Sequence, residues 1–277
     1  MVQASVLSDR SVIAVGGAEA RSFLQGLISN DMETCAPGRA IYAALLTPQG
    51  KVLYEFFVTE SEGRFLLDCA TARAAELVKR LIFYRLRAKI DIAPAPDLAV
   101  AAAWDNEPAI YSDVVVFPDP RLPALGLRMI ATRPQLQRIV DEAEAGDYQA
   151  HRLRLGVPDS ADLPPDTVFA LDAGFEELGG VDFKKGCYVG QEVTARMKHR
   201  ASARRRFLIA EFEGEPPPPD TKLEAAGRDL GNFATGMQGH ALALVRLDRL
   251  EEAREAGAPI TAAGRLVNLQ KPSWLQV

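Results

Sequence analysis

Four consecutive prolines, Pro216–Pro219 in "GEPPPPD", constrain this 277-residue chain more than any other stretch. Proline fixes φ and has no amide hydrogen, so the run can be neither helix nor inner strand; it must be a surface turn or short spacer. The chain changes character around it. Upstream, strand-like and helix-like stretches mix. Downstream, "KLEAAGRDLGNFATGMQGHALALVRLD" separates short apolar runs with glycines, the pattern of a small antiparallel barrel or sandwich. Two domains are expected, residues 1–205 and 206–277, the second entered by the strand "RRFLIAEFEG". A chain of this length accommodates both.

Within the first domain, "AEARSFLQGLIS" places Phe23, Leu24, Leu27 and Ile28 on one helical face, predicting a helix over 18–29. "IYAALLT" and "KVLYEFFVTE" flank the turn signal "PQG" and read as a hairpin over 41–59, and "GRFLLDCA" gives a third strand. Leu77, Leu81 and Tyr84 predict a helix over 71–86 with a basic outer face; "AKIDIAP" and "DLAVAAAW" are strand-like. A helix over 134–145 is expected to close at Gly146. Hairpins alternating with helices indicate an α+β domain rather than a regular βαβ winding.

Composition narrows function mainly by exclusion. A net charge of −5 argues against a general nucleic-acid binder, although a local basic patch is compatible with it. The N-terminus has neither a signal-peptide nor a transit-peptide pattern, and no apolar run is long enough to span a bilayer. The cysteines, Cys35, Cys69 and Cys187, are odd in number and widely spaced, which predicts a reducing, cytoplasmic setting. None of the three histidines pairs with a cysteine at zinc-site spacing, so no metal site is expected.

Three constellations could carry chemistry. "KKGCYVGQE", residues 184–192, reads as a glycine-hinged turn before a helix beginning near Gly190. A cysteine there, beside Lys184 and Lys185, would have its thiolate favoured by charge and helix dipole. A small buried residue filling the turn is the plainer alternative. Second, Lys184, Lys185, Arg196, Lys198, Arg200 and Arg204–Arg206 crowd into 23 residues, either an anion-binding edge or a solvated helix face with its linker. Third, Gln25, Asn30 and Asp31 follow an apolar helix and either cap it or line a pocket. Glu55 sits on a strand apolar on both faces, where a carboxylate is a candidate ligand contact.

Taken together, "FLQGLISNDM", "LLTPQGKVLYEFFV", "LRAKI", "RLRLGVPD" and above all "GGVDFKKGCYVGQEVTARMKHRASARRR" resemble the YgfZ-type folate-binding proteins, relatives of the glycine-cleavage T-protein, an aminomethyltransferase. The resemblance runs in order from about residue 12 to 250. It implies a T-protein-like α+β region of two sub-lobes around a central pocket, followed by a small C-terminal antiparallel β-barrel. It also implies tetrahydrofolate or a one-carbon derivative as cofactor, and a role in assembling or repairing 4Fe–4S proteins, including radical enzymes that methylthiolate tRNA. Cys187 is the implied functional thiol, and Lys185, Tyr188, Gln191 and Glu192 complete its motif. Asn30, Asp31, Tyr54, Glu55, Arg154 and Arg196 are the further folate contacts expected. Tyr54-Glu55 stand where aminomethyltransferases carry a doubled Asp, and Arg154 where they carry an acidic residue. The favoured reading is therefore a monomeric, folate-binding accessory factor working with iron–sulfur assembly proteins or their clients. A folate-dependent one-carbon transferase and a folate-free tRNA or protein binding module are the alternatives.

Overall fold

A computed structural model describes residues 3–104, 113–140, 145–200 and 203–276. The first domain begins with β1 (Gln3–Val6), β2 (Arg10–Gly16), α1 (Ala20–Gln25), β3 (Ile41–Leu46), β4 (Val52–Ser61) and β5 (Arg64–Ala70). It continues with α2 (Thr71–Arg85), β6 (Asp91–Pro94), β7 (Leu98–Trp104), β8 (Val115–Pro118), β9 (Leu127–Thr132), α3 (Arg133–Ile139), α4 (Ala145–Arg154) and α5 (Gln191–His199). After β10 (Arg205–Glu211) come β11 (Lys222–Ala225), β12 (Arg228–Met237), β13 (His240–Arg246), α6 (Leu247–Glu255), β14 (Ile260–Ala262), β15 (Arg265–Leu266) and β16 (Asn268–Gln270).

Two antiparallel sheets build the α+β region. One has the order β3-β4-β5-β2-β6, the other β1-β7-β9-β8. Strand β4 lies inside the first sheet and is covered on both sides, which is why its sequence is apolar on both faces. Phe56 and Val58 pack with Leu24 of α1 and with Leu77 and Leu81 of α2. Phe57 points the other way and shares a core with Trp104, Phe117 and Ile130 of the second sheet.

The remaining strands form a near-closed antiparallel barrel in the order β15-β14-β11-β12-β13-β10-β16. Its interior holds Leu208, Phe233 and Val245, closed by Leu250 of α6. Successive residues of β10 face opposite ways, so Phe207 leaves the barrel interior and joins the core of the first domain. The four prolines lie between β10 and β11, outside both.

Two helix expectations need correction. The helix expected over 18–29 is only six residues long, because the chain bends at Gly26 and Ile28 pairs as an isolated bridge with Leu45. Pairing with the sheet therefore overrides the helical apolar periodicity. The helix expected over 134–145 stops at Ile139, and Gly146 opens α4 rather than closing a helix. Residues 141–144 of that expected helix lie outside the described residues.

Candidate functional site

The "KKGCYVGQE" segment is a loop pinned on two sides. Oδ1 of Asp182 accepts from the amides of Lys184 and Lys185 at 2.6 and 3.0 Å, forming the turn. The Lys185 side chain then runs inward. Its Nζ donates to the carbonyls of Gln25, Ile28 and Asn30 at 2.8, 2.6 and 2.9 Å, where the chain leaves α1. The Gln25 carbonyl is one of the acceptors the end of α1 leaves unpaired, and those of Ile28 and Asn30 belong to the segment that follows it. Burial pushes the Lys185 ammonium down to about 8, against the pull of Asp31 and Asp182. On the far side, Gly190 adopts φ +85°, and a Cβ there would lie 2.5 Å from the Thr47 carbonyl oxygen. Glycine is what lets α5 start directly against the "TPQG" turn. Tyr188 is buried beneath Lys185, with Nζ 5.1 Å from its ring centre, and burial pushes its hydroxyl up to about 12.

Between these anchors, Gly186 and Cys187 are exposed, and a Cβ built on Gly186 would meet no atom within 4 Å. The thiol is therefore not the turn filler that local sequence also allowed. Cys35 and Cys69 are the buried cysteines; burial pushes their thiols to about 11 and about 12, respectively.

The segment facing this loop is equally tied down. Asn30 Nδ2 donates to the carbonyls of Tyr42 and Gly179, both at 2.7 Å. Asp31 Oδ1 accepts from Gln25 Nε2 at 2.9 Å and from the Glu33 amide at 3.1 Å. Ser29 Oγ donates to the Gly180 carbonyl at 2.6 Å. Ser29 and Asn30 thus hold residues 25–33 against 179–185, while Asp31 ties that segment to itself.

A second site, absent from the sequence reading, lies between the two sheets. Arg10 donates to Glu55 Oε1 at 2.7 Å and to Asp68 Oδ1 at 2.6 Å. Asp68 also accepts from Arg128, which donates to Asp119 at 3.1 Å. Asp119 closes the row with Arg121, by bonds of 3.0 and 2.8 Å. All six residues are buried, and the guanidiniums of Arg10, Arg121 and Arg128 lie 5.5, 4.7 and 3.8 Å from the Phe57 ring centre. Burial raises the Asp119 carboxyl, but Arg121 and Arg128 outweigh it and hold the group at about 2. Arg152 continues the theme, with Asp159 at 2.8 Å and Asp162 at 2.7 Å, the latter also bonded by the Thr235 amide of the barrel. One signal was present in sequence: charged residues interrupt apolar strands at Asp68 in "RFLLDCA" and Arg128 in "LRMIAT".

The expected folate contacts fall into separate groups: Asn30, Asp31, Lys185 and Tyr188 meet at the base of the loop, and Tyr54 and Glu55 lie on β4. Tyr54 and Glu55 are neighbours on a strand and face opposite ways: Tyr54 lies under Arg73 of α2, while Glu55 enters the ionic row. Arg154 is exposed at the end of α4. Gln191 opens α5, its amide donating to the Tyr188 carbonyl at 3.3 Å, and Glu192 pairs with Arg196 on the exposed helix surface at 2.6 Å. The basic cluster is divided: Lys184, Arg200 and Arg204 are exposed, while other members are paired with carboxylates. Lys198 meets Glu176, Arg205 meets Asp172, and Arg206 meets Asp172 and Glu177.

The residues around Glu55 do not fit a pteroyl group. Oε1 is taken by Arg10 and Ser160, and the cavity shared by Glu55, Tyr54 and Ser160 measures about 20 Å³, room for a single water. Glu55 Oε2 and the Tyr42 hydroxyl have no hydrogen-bond partner among the described residues. Unpartnered buried oxygens of this kind suit an ordered water.

The fold is that of the glycine-cleavage T-proteins. It superposes on the aminomethyltransferase of Bartonella henselae with a TM-score of 0.77, covering 99% of this chain and 86% of that one at 15% identity. Residues 204–277 match the family described as "CAF17, C-terminal beta-barrel domain". The chain is 32% identical to the mitochondrial iron–sulfur cluster assembly factor IBA57 of Homo sapiens, over 88% of this chain and 78% of that protein. It is 31% identical to the Mus musculus protein over the same shares. The chain belongs to the IBA57/CAF17 family, related to YgfZ. These relatives are mitochondrial, which overturns the cytoplasmic placement expected from cysteine usage and the N-terminus.

Proposed function

We propose that this chain is an accessory factor of iron–sulfur cluster assembly, serving 4Fe–4S proteins that include tRNA-modifying radical enzymes, and that it offers Cys187 as a single thiolate ligand. The observation that carries the reading is the exposed thiol held at the open tip of a loop whose two ends are fixed by Lys185 and Gly190. Among the described residues no three of His, Cys, Asp and Glu gather to hold a metal ion. Cys187 can therefore supply one bond to iron, its proton leaving as the sulfur lone pair is donated, while the other ligands come from a partner protein. The kinship with mitochondrial assembly factors named for iron–sulfur clusters supports the same role. Folate has no part in the proposal, because Tyr54 and Glu55 point apart and the cavity beside Glu55 has room for no more than a single water.

The test is Cys187→Ser in cells lacking this protein. The variant folds with an unchanged melting temperature, because the side chain is exposed. It fails to restore the activity of a 4Fe–4S enzyme that the wild type restores. Full restoration would remove the thiol from the function.

A further inference from the structure

Helix α2 carries a surface that none of the preceding roles uses. Its inner residues Leu77 and Leu81 are fully buried, yet near its end Phe83 is 72% exposed and Leu86 87% exposed. Leu86 terminates the helix at φ 46°, a left-handed conformation that a leucine rarely adopts, and its side chain gains almost no packing in return. Near this apolar pair in sequence stand Lys79, Arg80, Arg85, Arg87 and Lys89, all exposed, with no acidic residue between Glu76 and Asp91; the Glu19 carboxylate accepts from the Lys89 amide at 2.6 Å. Among the described residues none of the five enters a salt bridge, whereas four cations of the 196–206 stretch are paired with carboxylates. A groove of about 400 Å³ opens beside Phe83, walled by Tyr54, Glu76, Lys79 and Arg80.

The geometry points to a docking surface for an acidic protein, with Phe83 and Leu86 as apolar anchors and the five cations meeting its carboxylates. Solvent-exposed apolar side chains ringed by one sign of charge mark an interaction site, and the charge selects a partner of opposite sign. The groove favours a protein over an anionic bilayer: it can receive a protruding side chain, which a flat bilayer surface does not offer. A second copy of the chain meeting patch to patch would set five cations against five. The inference rests on the assembly reading for its readout, and places the contact with the partner on α2, apart from the thiol loop.

The experiment compares four proteins, with one charge-preserving control alongside, in cells lacking this chain, reading 4Fe–4S enzyme activity: wild type, Phe83→Ser/Leu86→Ser, Arg80→Glu/Arg87→Glu, and Cys187→Ser. Both α2 variants keep the wild-type melting temperature and restore about tenfold less activity, the scale expected when anchors of an interface are removed. Arg80→Lys/Arg87→Lys restores it, since charge and not a structural bond is required. If both α2 variants restore full activity while Cys187→Ser does not, the docking surface is overturned and the thiol role stands. If all three restore it, both fall. Wild-type protein stays in the supernatant when mixed with phosphatidylglycerol vesicles; Phe83-dependent sedimentation would overturn the protein partner in favour of a membrane. A dimer in gel filtration, lost in Phe83→Ser/Leu86→Ser, would overturn it in favour of a second copy.

Discussion

The layer between the two sheets and the loop around Cys187 use charge to opposite ends. Between the sheets, Glu55, Arg10, Asp68, Arg128, Asp119 and Arg121 form a buried row of alternating sign. At the loop a single buried cation, Lys185, fixes the base and leaves the two residues at the tip in the open. Paired charges in a low-dielectric layer are costly to expose or rearrange, so the layer fixes how the sheets meet. A charge spent on backbone carbonyls instead holds a loop in place without covering what the loop presents. The ionic layer belongs to the scaffold, and the reactive group was placed where the scaffold ends.

The largest expected effect lies in the layer. Asp68→Asn leaves Arg10 and Arg128 sharing one fewer anion in a buried setting, at a cost of about 3–5 kcal/mol. Urea unfolding followed by circular dichroism measures it as a lower midpoint at constant slope. A loss under about 1 kcal/mol, the size of a surface pair, would make the row a bystander and break the comparison.

Much of the fold was legible because local patterns agreed with the tertiary outcome. The hairpin of β3 and β4, the helix α2 and the glycine-punctuated barrel each carried their own periodicity or turn residues. The helix after Ala20 was overestimated because Leu27 and Ile28 continue a helical face in sequence, while in space Ile28 pairs with Leu45. The thiol was found through a nine-residue motif. The ionic layer showed only as charges inside apolar strands at Glu55, Asp68 and Arg128: residues 10, 55, 68, 119, 121 and 128 have no spacing in common, and only the closing of the sheets gathers them. Lys185 was singled out for the wrong partner. A lysine beside a cysteine reads as activation of the thiol, whereas its ammonium is turned to the end of α1.

That reassignment gives the second prediction, smaller because hydrogen bonds rather than ion pairs are lost. Lys185→Met leaves three carbonyls without their donor, at about 1–3 kcal/mol. Burial has lowered the Lys185 ammonium to about 8 from its usual 10.5, so between these values the unfolded chain binds a proton that the folded chain has released. Unfolding then takes up protons, and stability from this group rises with pH across that window. The gap between wild type and Lys185→Met should therefore widen from pH 8 to 10.5 in urea titrations. A gap that narrows would mean the ammonium is better solvated folded than free, contrary to a buried cap.

The smallest effect sharpens the comparison from the loop side. Glu192 and Arg196 form an exposed i,i+4 pair on α5, with side chains 83% and 56% exposed. Such a pair contributes about 0.3–0.5 kcal/mol and is screened by salt, so Glu192→Gln should leave the urea midpoint almost unmoved. The same substitution reads out function cleanly, because no buried contact changes with it. If Glu192→Gln restores 4Fe–4S enzyme activity as well as the wild type, the carboxylate is only half of a helix-surface pair, and the open region of the loop ends at Cys187. If restoration falls while stability holds, the partner must touch α5 as well as the thiol. The exposed site then runs from Gly186 onto the first turn of the helix, on the side of Gly190 away from the Lys185 anchor.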